Sequence, residues 1–532
     1  MTDTLPLAKL GLTNYDHDVV VVGLGPVGTT LATILSSKGL SVLAIDSSGD
    51  VYDLPRAVGM DHEVLRIFQN LGVADDLADV VGEYRTSEYV SSTGEVLRRM
   101  VSPEPPFQLA WPPYVTFMQP GLEKALRAKA LTFPLLQIRL ATEITALEDR
   151  GDHVNVEIRD LRTGTLDAIA CRYVVGCDGA RSFVREQLGI SFEDLIFDEP
   201  WLVVDMLLSD TTVNLPQVNV QYCNPARPHT YVVGPKNLRR WEFMLMPGED
   251  PEQIKTEQSV WHFLRPWLEP HQATLWRAAT YRFHALVAKS WREGNVFLAG
   301  DACHMTPPFL AQGMVQGIKD AANLGWKISA VLKGASPDLL DSYEIERRPV
   351  VRDVIATTKA LGQIICERDP ELATERDRAL RRLWEEGKGT LVRQDLFPAI
   401  SAGVIGWSGN GEPAPAAGRQ SPQPWIVCKS GDRRRLDDIL PEGFKILVNA
   451  DFHIGIDTEL GAARVAATIV KVSAAPIQGV NAWQEEHTVF KDWLNHYECG
   501  AILVRPDHVV FGGAKDEADL NGLLQQLLAH LR

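Results

Sequence analysis

The chain predicts an α/β protein, α+β overall. A doubly wound nucleotide-binding domain is joined to an antiparallel sheet, a helical region and a separate C-terminal region. Three observations carry this. A β-branched run, Asp18–Val22, leads into Gly23-Leu24-Gly25-Pro26-Val27-Gly28 and an amphipathic stretch. Short strand-like runs divided by turn residues fill 200–247. A Pro-, Gly- and Ala-rich segment, 409–424, precedes the last hundred or so residues.

The first run reads as a buried strand. Pro26 sits in the first turn of the helix that follows, with Val27, Leu31, Ile34 and Leu35 on one face. Gly39 is its stop, and Ser41–Ile45 is a second buried strand ending at Asp46. That order is the βαβ unit of a doubly wound sheet. Gly23 permits the tight turn, Gly25 admits a pyrophosphate, and Gly28 lets helix pack on strand. Asp46 stands 18 residues after Gly28, where an acid can accept from ribose hydroxyls. The competing reading is a purely structural glycine turn.

Two further stretches match this one. After the strand Tyr173–Val175 comes Cys177-Asp178-Gly179-Ala180-Arg181-Ser182. Later, an apolar run ends in Gly300-Asp301, followed by Pro307-Pro308 and a glycine-bounded entry into a helix. A carboxylate at a strand end suits sugar-like hydroxyls. Bare N–H groups at a helix start suit an anion or an electron-rich ring edge.

Between these lie Trp201–Leu208, Val218–Tyr222, Thr230–Val233 and Trp241–Met246, read as an antiparallel sheet that covers something. Residues 340–400 should be mostly helical. In the tail, Trp425–Cys428 reads as a strand and Ala501–Val504/Val509–Phe511 as a hairpin.

Bulk numbers exclude some classes. A net charge of −16, from 53 basic and 69 acidic residues, argues against nucleic acid and against anionic membranes. Seven scattered cysteines form no CxxC and no zinc spacing, so no metal is expected. They suit reduced thiols in a cytoplasm. The N-terminus shows no signal-peptide pattern, and no run is long enough to span a membrane.

The three motifs, in this order and spacing, resemble the FAD-dependent aromatic hydroxylases, the single-component flavoprotein monooxygenases. Leu54-Pro55-Arg56-Ala57, Phe197-Asp198-Glu199-Pro200-Trp201, Arg239-Arg240-Trp241-Glu242-Phe243-Met244 and Tyr343 to Pro349 resemble the subgroup acting on 3-(3-hydroxyphenyl)propionate and 3-hydroxycinnamate. The resemblance implies an FAD-binding domain over 15–95, 119–199 and 290–345. It implies a substrate-binding sheet domain over 96–118 and 200–289, and a helical region over 346–408. The linker 409–424 would lead to a thioredoxin-like domain over 425–532 that lacks CxxC. That last domain suits packing or a homodimer.

Non-covalent FAD would be held by Gly23, Gly25, Gly28, Asp46, Arg56, Gln119, Asp178, Gly179, Asp301, Gly313 and Met314. For Arg56 and Gln119 the alternative is a solvated surface residue, and for Asp178 a turn residue. NADH or NADPH would reduce the flavin, O₂ would add at carbon 4a, and the resulting hydroperoxide would hydroxylate a small phenolic substrate in aromatic catabolism. Asp61, His62 and His304 are candidates for the base that favours phenolate, with structural roles as the alternative. The Pro308 carbonyl should face the reaction cavity. Arg239 and Arg240 would hold a substrate carboxylate or else cap a strand end. Tyr222, Tyr231 and Trp241 would line the pocket or else pack the core. Three positions depart from the family pattern: Gly59 where relatives have His, Ala311 where they have Gly, and Val315 where many can hydrogen-bond flavin. A larger polycyclic phenol and a non-catalytic flavin-binding protein are the alternatives. A halogenase would need a WxWxIP segment, which is missing.

Overall fold

The computed structural model describes residues 15–428, 431–477, 479 and 481–532. Most of the N-terminal segment inspected for a leader lies outside the described residues.

The nucleotide sheet has eight strands. At its centre the strand His17–Val22 pairs in parallel with Val42–Asp46 on one side and Leu166–Gly176 on the other. Val296–Leu298 and Leu136–Leu140 continue the parallel order outward. Helices cover it, and Val19, Val20 and Val21 are fully buried. Burial on both faces is why this strand reads as an unbroken β-branched run. The helix Pro26–Ser37 starts with proline at its first position, and Gly39 follows at φ +84°.

The large sheet has nine strands. Their order is His304–Met305, Ala273–Ala288, Phe192–Leu208, Leu238–Met244, His229–Val233, Asn219–Tyr222, Thr86–Val90, Val96–Val101 and Thr390–Val392. This corrects three expected boundaries. Phe192–Leu208 is one 17-residue strand running across the division placed at 199/200. Thr86–Val90 belongs to this sheet, although it falls within 15–95. Thr390–Val392 enters it from the helical region, parallel to Val96–Val101. Pairing between such distant segments leaves no local trace in sequence.

The helical region is the two helices Ser342–Cys366 and Pro370–Glu385. Segment 409–424 connects two domains without being a solvated tether. Ser421 and Gln423 are fully buried, and the Gln423 amide donates to the Leu109 carbonyl at 2.8 Å.

The C-terminal domain is a mixed seven-stranded sheet with helices Ile456–Arg464, Val489–His496 and Glu517–Leu531. The expected strand and hairpin are there, as Trp425–Val427 and as Ala501–Val504 paired with Val510–Ala514. Buried ion pairs fasten this domain to the rest: Arg66–Asp437 at 2.7 Å and Arg505–Glu346 at 2.8 Å. Their geometry matters because an unpaired charge here would cost several kcal/mol. Among the described residues no helix is long and apolar enough to cross a membrane.

Candidate active site

The glycine turn is built as its spacing requires. Gly23 lies at φ +95°, and a Cβ there would stand 2.5 Å from the Cys177 carbonyl oxygen. A Cβ on Gly28 would stand 1.9 Å from the Gly23 oxygen. These two glycines are demanded by the fold itself. Gly25 differs, because a Cβ there would meet nothing within 4 Å. The bare backbone beside Gly25 is a cradle of the kind a pyrophosphate fills. Asp46 holds the turn from below, accepting from Leu24 N and from Ser48 N, each at 2.7 Å.

Arg127 was not foreseen. It reaches from the helix Gln119–Ala130 and donates to the Leu24 carbonyl at 3.1 Å. Its Nε and its other terminal nitrogen are buried with no partner. Buried donors beside an open glycine cradle fit an anionic dinucleotide. The only sequence signal was a basic residue late in a helix that starts at Gln119. Gln119 itself is buried, and its amide oxygen accepts from Arg56 N and Ala57 N. It therefore fixes the backbone of the 54–57 loop. The Arg56 side chain is exposed and lies over the Tyr52 ring at 4.5 Å.

The other two motifs close on the same cleft. One Asp178 oxygen accepts from Val184 N, and the other is buried without a partner. Gly179 sits at φ +80° facing open space. Asp301 is exposed at the end of its strand, 4.0 Å from where a Cβ on Gly313 would lie. The helix Gly313–Leu332 begins there without a side-chain cap, so its first amide donors, Gly313 and Met314 among them, are available. Ala311 lies in the left-handed region at φ 49°, a conformation that favours glycine. Val315 is fully buried in apolar packing. These groups together fit FAD: the first glycine turn would hold its pyrophosphate, Asp301 its sugar-like chain and the helix start its ring edge.

The candidates for the base sort differently. His304 is fully buried, with Nε2 2.7 Å from Asp320, whose second oxygen accepts from Arg347 Nε at 2.8 Å. This corrects the expectation of a base at His304: no atom of it reaches open space. Asp61 caps the helix His62–Asn70 and pairs with Lys319 at 2.9 Å, as does Glu63. The Lys319 charge holds the Asp61 carboxyl below its usual range against the opposing effect of burial. Burial lowers His62 to about 4, so it is neutral at pH 7. Both residues line a polar cavity of about 270 Å³ that also touches the C-terminal domain at Asp507 and Val509. The Pro308 carbonyl accepts from Ala311 N at 2.7 Å and closes a turn.

The large sheet has two unlike faces. In Leu238–Met244 the odd residues share one face and the even residues the other. Trp241 and Phe243 join Tyr231 in an apolar cluster with Val260 and Leu264 of the covering helix. Tyr222 stacks on His229 at 4.2 Å on that side. Arg239 donates to the Lys236 and Leu238 carbonyls of its own turn. Tyr222, Tyr231, Arg239 and Trp241 are thus corrected from pocket residues to packing on the far face. Arg240 is on the near face but holds no free fork. It pairs with Asp205 at 2.7 and 3.1 Å and donates to the Arg56 carbonyl at 2.8 Å, positioning that loop.

Two residues on from Arg240, Glu242 shares its face. Its nearest cation is Arg240 at 3.8 Å, and burial pushes its carboxyl above the usual range. Trp201 and Met244 continue this face, and Gln221 with Thr230 extends it the other way, bonded at 2.6 Å. Tyr114 stands opposite, its hydroxyl 1.6 Å from where a Cβ on Gly59 would be. The missing side chain at 59 is therefore filled by a phenol.

Comparison with known proteins agrees. Residues 16–358 match the FAD binding domain family, and 418–530 match the HcaD C-terminal domain family. The chain is 34% identical, over 96% of its length and 94% of the relative's, to a probable NADH-specific resorcinol 4-hydroxylase of Rhodococcus jostii (strain RHA1). It is 32% identical, over 93% and 89%, to a 3-(3-hydroxy-phenyl)propionate/3-hydroxycinnamic acid hydroxylase of Mycobacterium sp. (strain JLS). Among solved structures, the flavin-dependent monooxygenase PieE, in complex with FAD and substrate, shares the fold at TM-score 0.81. It is 21% identical, and the match covers 97% of this chain and 99% of that one. With its glycine cradle, its acid at Asp301 and its full-length relatives, the chain belongs to the FAD-dependent aromatic hydroxylases and is a flavoprotein monooxygenase.

Proposed function

We propose that the chain hydroxylates a single-ring phenol carrying a second substituent meta to the hydroxyl, with NADH as reductant. Resorcinol and 3-hydroxyphenylpropionate share that pattern, and they are the substrates named for the two relatives above. Bound FAD supplies the redox chemistry with NADH and O₂. The chain's own residues bind and orient the ring, exclude water and manage its proton.

One observation carries this reading: Glu242, a buried carboxylate with a raised pKa on the sheet face toward the Arg56 loop. A general base works best when its pKa approaches the operating pH. Glu242 takes the phenolic proton and makes the ring electron-rich. Trp201, Phe309 and Met244 form the dry wall beside it.

The test is NADH and NADPH oxidation by FAD-loaded protein with resorcinol, 3-hydroxyphenylpropionate, 3-hydroxycinnamate and hydroxybenzoates, with products read by mass spectrometry. A product heavier by one oxygen from a meta-substituted phenol supports the reading. Bound FAD with no stimulation by any of them sinks it and favours a larger polycyclic substrate.

A further inference from the structure

Arg393 is 3% exposed and pairs with no carboxylate among the described residues. It comes from the short segment that joins the large sheet after Thr390–Val392. Its guanidinium lies over the Tyr114 ring at 3.8 Å and reaches the Met100 sulfur at 3.7 Å. One terminal nitrogen donates to the Leu310 carbonyl, in the strip leading to the helix start at Gly313. Its Nε is buried with no partner. The near face of the sheet, the flavin-side strip and Tyr114 therefore enclose a buried cation with an unused donor.

Such a charge is costly unless an anion joins it. The titratable and charged groups around it do not supply one. Burial opposes ionisation of the Tyr89 and Tyr114 phenols, and Arg98 is a further cation near Tyr89. The two acids acting on Tyr114 have other cations, Asp61 on Lys319 and Glu242 beside Arg240. We propose that Arg393 receives an anionic oxygen of the aromatic substrate, either the ring phenolate or a side-chain carboxylate, with the Tyr114 hydroxyl beside it. This rests on the proposed function. It adds a substrate-binding residue that neither the motifs nor the strand pattern indicated.

The probe is 3-nitrophenol, whose anion absorbs in the visible, titrated with holoenzyme across its own pKa. The bound phenol should ionise at least one pH unit lower than the free phenol, a tenfold preference for the anion. Arg393→Gln should abolish that shift while FAD content, read from the flavin spectrum, stays unchanged. Its ether, 3-nitroanisole, tests wild type without any variant: it should bind weakly and independently of pH. Comparing resorcinol with 3-hydroxyphenylpropionate in Arg393→Gln separates the sources. Loss of affinity for both assigns the phenolate, and loss for the second alone assigns the carboxylate. If Arg393→Gln ionises the bound phenol as wild type does and also keeps the wild-type affinity for 3-hydroxyphenylpropionate, the Arg393 proposal falls and the hydroxylase reading stands. If wild type binds the ether as well as the phenol, the phenolate arm falls without any variant, and unchanged affinity of Arg393→Gln for 3-hydroxyphenylpropionate then overturns the proposal. If no phenol binds wild type, both fall.

Discussion

The two faces of the large sheet carry the same kinds of residue and use them in opposite ways. On the far face Tyr231, Trp241 and Phe243 close an apolar core under the helix Glu257–Leu264. On the near face Asp205, Arg240 and Glu242 are equally buried, but they are charged and point toward the Arg56 loop. Arg239 and Arg240 are neighbours in sequence; one ties its own turn and the other ties two domains. The difference teaches that in a sheet covered on both sides, burial does not mark function. What separates the two faces is charge: the near face buries Asp205, Arg240 and Glu242 where the far face buries aromatic rings.

That contrast can be broken by mutation. Glu242→Gln should lower turnover by roughly 10²–10⁴-fold, the size of a lost general base. FAD content should be retained. The acid limb of the wild-type pH–rate profile should vanish in this variant, because the base acts only when ionised. Stability shifts the other way. A raised carboxyl pKa favours the folded state at low pH, and that benefit is lost as pH rises through the folded value. Glu242→Gln should therefore unfold at a higher temperature than wild type at alkaline pH. A lower one would refute the assignment of a buried acid held above its usual range.

Asp205→Ala should cost about 3–5 kcal/mol, because it leaves the Arg240 guanidinium buried without its partner. FAD affinity should fall as well, since Arg240 holds the Arg56 carbonyl. Denaturant unfolding and flavin retention read both effects. Trp241→Ala should cost about 3–5 kcal/mol through a cavity in the far-face core. The protein that remains folded should keep the wild-type KM, and a raised KM would return Trp241 to the pocket. Arg239→Ala should have the smallest effect, about 1 kcal/mol for the turn bonds it loses. Its KM for a carboxylated phenol should be unchanged.

These differences also show what could be read in advance. The βαβ unit was legible because steric need dictates it: Gly23 and Gly28 each admit no Cβ. The antiparallel runs were legible from turn residues such as Gly234-Pro235. The choice of face was not, because Leu238–Met244 buries both faces and so lacks the usual alternation of polar and apolar residues. Arg393 was invisible for another reason. It is placed by a parallel pairing of Thr390–Val392 with Val96–Val101, far away in sequence. Segment 409–424 misled by composition, since Pro and Gly mark irregular backbone and not exposure.

The most direct test of the near face as the substrate wall compares Glu242→Gln with Trp241→Phe in one experiment. Both are loaded with FAD and given NADH and resorcinol, and hydroxylated product is counted against NADH consumed. Product formation should collapse in Glu242→Gln while Trp241→Phe keeps the wild-type ratio. The reverse pattern, with product lost in Trp241→Phe and unchanged in Glu242→Gln, would contradict the assignment of the two faces.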